Sequence, residues 1–207
     1  MVNATASKPE KRTAETLRKR LGKRSIALVG MPGSGKSSIG RRLAPRLDLP
    51  FVDADAEIEK AANGMSVAEI FAKHGETEFR SLEARVIARL LDSGPSVIAT
   101  GGGALMNANT RALVRDRGIS VWLKADIAVL MRRIKRKSDR PLLQGKNPEA
   151  TLKRLLAERE QTYAEADIVV TSRESPHEAV VEEIVEALGS HMEAIPSLPN
   201  KPAEART

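Results

Sequence analysis

The chain has no cysteine among its 207 residues, which excludes disulfides and thiolate-held metal and suits a reducing cytoplasm, the expected location. Aromatic residues are scarce: one Trp, one Tyr and three Phe. No apolar run approaches the roughly 18–20 residues that a membrane span needs, so no membrane association is expected. Of the histidines, His74, His177 and His191, none has a partner at metal-ligand spacing, and all three read as structural or solvated. A net charge of +7 hints at nucleic acid until it is located. Residues 1–24 hold eight Lys or Arg against two Glu, six of the seven net charges. The remaining body is nearly neutral, which argues against nucleic acid as a partner.

What is present organises itself around one stretch. Ile26-Ala27-Leu28-Val29 reads as a buried strand running directly into Gly30-Met31-Pro32-Gly33-Ser34-Gly35-Lys36-Ser37. Those eight residues fit the phosphate-binding pattern G-x-x-x-x-G-K-[ST] without a mismatch. Glycines let consecutive backbone N–H groups turn toward an anion, and the following helix points its positive end at the same place. Lys36 can reach the β- and γ-phosphates, and the Ser37 hydroxyl can ligate Mg²⁺. A turn that merely needs glycine would not require Lys-Ser before a helix with Ile39, Leu43 and Leu47 at apolar spacing. The reading is a nucleoside triphosphate site.

Further along, Pro50-Phe51-Val52 forms a short second strand ending in Asp53-Ala54-Asp55. One Asp there can cap the next helix. Two carboxylates one strand after a phosphate loop also suit Mg²⁺ and a substrate hydroxyl. Ser66-Val67-Ala68-Glu69 is a capping box opening a helix through Lys73, and a second helix is expected from Gly75–Glu76 to Leu91. On it, Arg80 and Glu83 are spaced to pair, as a surface ion pair or as an oriented guanidinium. Strand 96–100 runs into Gly101-Gly102-Gly103, which permits close approach by a ligand or only a flexible turn. Helix 107–117, strand 120–123 and helix 126–137 follow. The aperiodic stretch 138–148 contains Arg140 and reads as a lid or a plain connection. Helix 149–163 bears Arg159, strand 168–171 follows, and Ser175-Pro176 starts the last helix.

Strands alternating with helices predict an α/β fold: a three-layer, five-stranded parallel sheet with helices on both faces. The expected organisation is a basic, disordered or partly helical leader at 1–24, a kinase-like domain at 25–189 and a flexible, proline-bearing tail at 190–207.

Taken together, GMPGSGKSSIGRRLA at 30–44, DAD at 53–55, IFAKHGETEFRSLE at 70–83, GGG at 101–103, RPLL at 140–143 and LLAEREQTYAEAD at 155–167 resemble shikimate kinase, a relative of the nucleoside monophosphate kinases. The likeness spans about residues 25–188. It implies ATP and shikimate as partners, Mg²⁺ as cofactor and a monomer. Asp55, Lys36 and Arg140 would be catalytic. ATP would be held by Gly33, Ser34, Gly35, Lys36, Ser37, Ser38, Arg133 and Arg140, with Pro176 near the adenine. Shikimate would be held by Asp55, Arg80, Gly101, Gly102, Gly103 and Arg159, with Glu83 orienting Arg80 and Phe71 and Phe79 along the ring face. Ser37 and Asp53 would serve the metal. One departure is Ser38, where the family usually has Thr; the hydroxyl survives.

The expected reaction moves the γ-phosphoryl of ATP to the 3-hydroxyl of shikimate. The alternatives are gluconate or a nucleoside monophosphate as acceptor, or a nucleotide-dependent binding protein whose leader engages nucleic acid.

Overall fold

The computed structural model describes residues 8–135 and 147–194, with side chains from Thr13 onward. Five strands form one sheet: β1 (Ser25–Val29), β2 (Phe51–Asp53), β3 (Val97–Ala99), β4 (Gly118–Lys124) and β5 (Ile168–Thr171). Their order is β2-β3-β1-β4-β5, and every pairing is parallel. The α/β expectation holds, with β1 central.

Parallel strands buried on both faces alternate their side chains between two cores. Ile26 and Leu28 of β1 enter one core together with Val97, Ile119, Val121 and Leu123. Ala27 and Val29 enter the other together with Ile98 and Trp122. The first core is closed by α1 (Lys8–Leu21), α2 (Lys36–Arg46) and α8 (His177–Ala194). The second is closed by α3 (Ala54–Ala61), α4 (Val67–Asp92), α5 (Ala108–Arg117), α6 (Ile127–Lys135) and α7 (Pro148–Tyr163). β5 alternates buried and exposed residues, with Val169 facing out, as an edge strand does.

Over residues 8–21 the leader takes its partly helical alternative: it is helix α1, and it packs on the domain, with Leu17 and Leu21 buried against Leu47, Leu188 and Met192. Their i, i+4 spacing puts both leucines on one face, while Arg18 pairs with Asp48 and Arg20 with Glu193. The last helix runs past residue 190 to Ala194 because Met192 is still buried. The two helices expected around residue 75 are both present: the span α4 is divided at Gly75, whose φ of 81° and ψ of 173° are non-helical. The capping box at its start forms as expected, Ser66 with Glu69. Strand ends shift by one or two residues, β3 being shorter and β4 longer than expected. Arg140 and most of the 138–148 stretch lie outside the described residues. Its end, Asn147, caps α7 by accepting the Ala150 N–H.

No helix among the described residues is long and apolar enough to cross a membrane.

Candidate active site

The carboxyl ends of β1, β2 and β3 open into one cleft of about 320 Å³. A ligand belongs there, at the point where strand order reverses around β1. Gly33, Gly35, Lys36, Ser37, Ser38, Asp53, Asp55, Thr100, Gly102 and Arg133 line it.

One half of the cleft is backbone. Gly33 and Gly35 have φ of 87° and 100°, values that L side chains rarely adopt, and Gly35 is the N-cap of α2. A β-carbon on Gly33 would come 3.0 Å from Ile134. The loop therefore presents its N–H groups and the helix terminus without side-chain cover. Lys36 Nζ donates to the carbonyls of Gly30 (2.7 Å) and Met31 (3.0 Å), which holds its cation over the loop. Ser34 Oγ is fully buried and lacks a protein partner. These features fit the polyphosphate of a nucleoside triphosphate. Arg133 straps the loop from outside: its Nη1 donates to Ser34 O (3.2 Å) and Ser172 Oγ (2.8 Å), and its Nη2 to Arg173 O (2.6 Å). Burial draws its guanidinium down from the ordinary arginine value, with Glu174 acting the other way.

The other side begins with Asp53 and Asp55 in the cleft and continues into a cluster around Arg80, Glu83 and Arg159 that adjoins the cleft at Gly102 without lining it. Asp53 caps α3 by accepting the Asp55 N–H at 3.2 Å, so one of the two carboxylates does cap. Asp55 stands exposed at the start of the same helix. Arg80 Nη1 donates to Glu83 at 2.7 Å, and Arg80 also pairs with Glu76 at 3.2 Å. The Arg80 guanidinium lies 5.1 Å from the Phe79 ring centroid and 5.9 Å from that of Phe71. Phe79 belongs to the core, while Phe71 is half-buried and packs on it at 4.4 Å between centroids.

Glu83 is 2% exposed. Burial raises its carboxyl above the ordinary glutamate value, and Arg80 only partly offsets this. Burial pulls the Arg80 guanidinium down, but the pairing with Glu83 and Glu76 outweighs it and leaves Arg80 raised. Glu83 Oε1 is buried and unpartnered.

The three glycines form a shelf under this cluster. None has a left-handed φ; contact, not conformation, demands them. A β-carbon on Gly101 would overlap Glu83 Oε1 and lie 3.3 Å from Asp55 Oδ1. On Gly102 it would meet Pro32 Cδ at 2.8 Å, and on Gly103 the Arg80 guanidinium at 2.6 Å. Arg159 is buried and donates to the Gly102 carbonyl at 2.8 Å. The flexible-turn alternative for this triplet is thereby replaced by close packing.

The sequence reading thus missed several participants. Tyr163 donates its hydroxyl to the same Gly102 carbonyl, one turn after Arg159, and burial raises its phenol. The i, i+4 spacing of the only tyrosine from Arg159 was the available signal. Ser172 donates to Ser34 O at 2.8 Å, and His177, read as structural, lines the cleft along with Thr100 and Ile134. Nothing in their spacing announces them.

Comparison with known proteins agrees with this geometry. The family model for shikimate kinase matches residues 32–189. The chain is 60% identical over 172 residues to a shikimate kinase of Bradyrhizobium diazoefficiens, covering 83% of each chain. It is 61% identical over 162 residues to one of Nitrobacter winogradskyi, covering 78% of this chain and 75% of the relative. Among solved structures it resembles a shikimate kinase from Acinetobacter baumannii in complex with shikimate, with a TM-score of 0.80 and 34% identity, covering 86% of this chain and 97% of that one. A phosphate loop, the Gly102 shelf and a family-model match that relatives of 60% identity extend over most of the chain place the protein in the shikimate kinase family.

Proposed function

We propose that the chain transfers the γ-phosphoryl group of ATP to the 3-hydroxyl of shikimate, giving ADP and shikimate 3-phosphate. The observation that supports this best is the shared cleft, in which the phosphate loop, Asp55 and the Gly102 shelf meet at the carboxyl ends of the strands.

Each residue has a chemical task in that reaction. Arg80 and Arg159 hold the shikimate carboxylate, since each guanidinium offers a planar fork for two parallel bonds. Gly101, Gly102 and Gly103 let the acid approach the backbone, where an N–H can donate to it. Asp55 accepts the proton of the attacking hydroxyl or aims it. Gly33, Ser34, Gly35, Ser37 and Ser38 cradle the phosphates. Lys36 neutralises charge as the γ-phosphoryl leaves, and Arg140 does so from the lid. Such transfer has loose, dissociative character, so positioning and charge stabilisation dominate its catalysis. Arg133 lies against the nucleotide.

Mg²⁺ would be held by the Ser37 hydroxyl and, through water, the Asp53 carboxylate. Hard oxygen donors suit that ion, which keeps several waters and binds mainly through substrate phosphates. When bound, the ion supplies charge neutralisation on the β- and γ-phosphates.

The test is ADP release by the purified full chain with MgATP and, in turn, shikimate, gluconate, AMP or no acceptor. Release that depends on shikimate alone is expected. Release with gluconate or AMP instead would keep the phosphate loop and discard the carboxylate clamp.

A further inference from the structure

The Gly102–Gly103 peptide is the joint of the site. Its carbonyl accepts from two donors on one face of α7, Arg159 and Tyr163. The Gly102 α-carbon leans on Pro32 of the phosphate loop, and Gly103 lies beneath the Arg80 guanidinium. Because a peptide unit is planar, fixing the carbonyl direction also fixes the opposed N–H of Gly103. One peptide therefore adjoins Arg159, Arg80 and the phosphate loop at once.

Of its two donors, Tyr163 is the one fixed in place by the sheet, and its hydroxyl also meets the Arg159 side chain. Its ring is 1% exposed and tilted against Trp122 of β4 at 5.8 Å between centroids, so the sheet fixes where the hydroxyl points. Arg159 has five N–H groups; one goes to the carbonyl and the side chain also meets the Tyr163 hydroxyl, which leaves others for a carboxylate. A carbonyl has two lone pairs, so Tyr163 can keep it satisfied while Arg159 turns toward a carboxylate. Without the hydroxyl, the half-buried carbonyl would depend on Arg159 alone, and binding of the acid would compete with that bond.

We propose that Tyr163 is a positioning residue for the acid site: its hydroxyl holds the Gly102 carbonyl and so leaves Arg159 available to the substrate carboxylate. This rests on the reading of Arg80 and Arg159 as the clamp.

The experiment is Tyr163→Phe in the full chain, which keeps the ring against Trp122 and removes only the hydroxyl. Losing one such bond predicts a rise in the KM for shikimate of about five-fold, with the KM for MgATP and kcat within about two-fold. The effect should also vanish in an Arg159→Lys background, because both residues act on one carbonyl. An unchanged shikimate KM with a lowered melting temperature would reduce Tyr163 to a core group and overturn the proposal. Equal rises in both KM values would mean general loosening and would overturn it too. A readout in ligand-free protein separates this from the assignment of substrate. In glycine-labelled protein, the Gly103 amide resonance should move between wild type and Tyr163→Phe whether or not shikimate is turned over. An unmoved resonance would remove the link between Tyr163 and the shelf. Failure of the wild type to turn over shikimate, with that resonance moved, would instead fault the substrate assignment.

Discussion

The two halves of the cleft solve opposite problems with opposite materials. The phosphate side is contiguous: one strand, eight residues and one helix terminus, with backbone N–H groups as the binding groups and left-handed glycines as the device. The acid side is assembled from α3, α4, the 101–103 turn and α7, with side chains as the binding groups and glycines of ordinary conformation. A polyphosphate is long, flexible and highly charged, so a curved run of amides suits it. A small ring acid must be held at one orientation, which takes rigid forks approaching from different directions. The first kind of site is written locally. The second exists only after folding.

The difference can be broken from either side. The largest expected effect is at the centre: Asp55→Asn should lower kcat by about 10²–10⁴-fold, the range for a general base, with the KM for ATP nearly unchanged. Steady-state ADP release checks it, and unaltered turnover would remove Asp55 from the chemistry. Next comes Gly101→Ala. A methyl there overlaps Glu83 Oε1 and crowds Asp55, so an overpacking cost of about 1–3 kcal/mol is expected. Thermal melts and shikimate affinity should both worsen, while MgATP affinity should not. A melt and a shikimate KM both equal to wild type would refute the steric account of the shelf.

The smallest effect is a pH dependence of Glu83. Its folded-state carboxyl lies above the ordinary value of 4.5 because burial disfavours the charge. A group raised in this way adds stability that is complete below its unfolded value and is lost as pH rises through the folded one. Glu83→Gln cannot ionise and lacks that loss. The melting temperature of the variant relative to wild type should therefore climb as pH goes from below 4.5 toward neutral. A flat difference across that window would mean that Arg80 fully offsets the burial.

The same contrast explains how much could be read in advance. The phosphate loop, the parallel α/β sheet, the Asp53 cap and the Ser66–Glu69 capping box rest on short-range chemistry, and all are present. The Arg80–Glu83 pair was legible as a spacing, but its burial was not, since that depends on the glycine shelf arriving from β3. Arg159 and Gly102 were brought together only through family resemblance; 57 residues separate them. Tyr163 offered only its i, i+4 spacing from Arg159, and Ser172 left no trace in local pattern because it acts on a group from another part of the chain. The docking of the leader was illegible for a related reason. Its charge is conspicuous along the chain, whereas the two leucines that dock it matter only once α2 and α8 supply their partners.

The most direct test of the central claim is the preference of the enzyme for a carboxylate. Turnover with MgATP should be compared for shikimate and for shikimate carboxamide, in wild type and in Arg80→Ala. Charge-assisted bonds to a guanidinium are worth about 1.5–3 kcal/mol, so wild type should favour the acid by about 10–100-fold in kcat/KM. Arg80→Ala should lose most of that preference, chiefly through the KM for the acid. A variant that still prefers the acid as strongly as wild type would contradict the clamp and send the carboxylate elsewhere in the cleft.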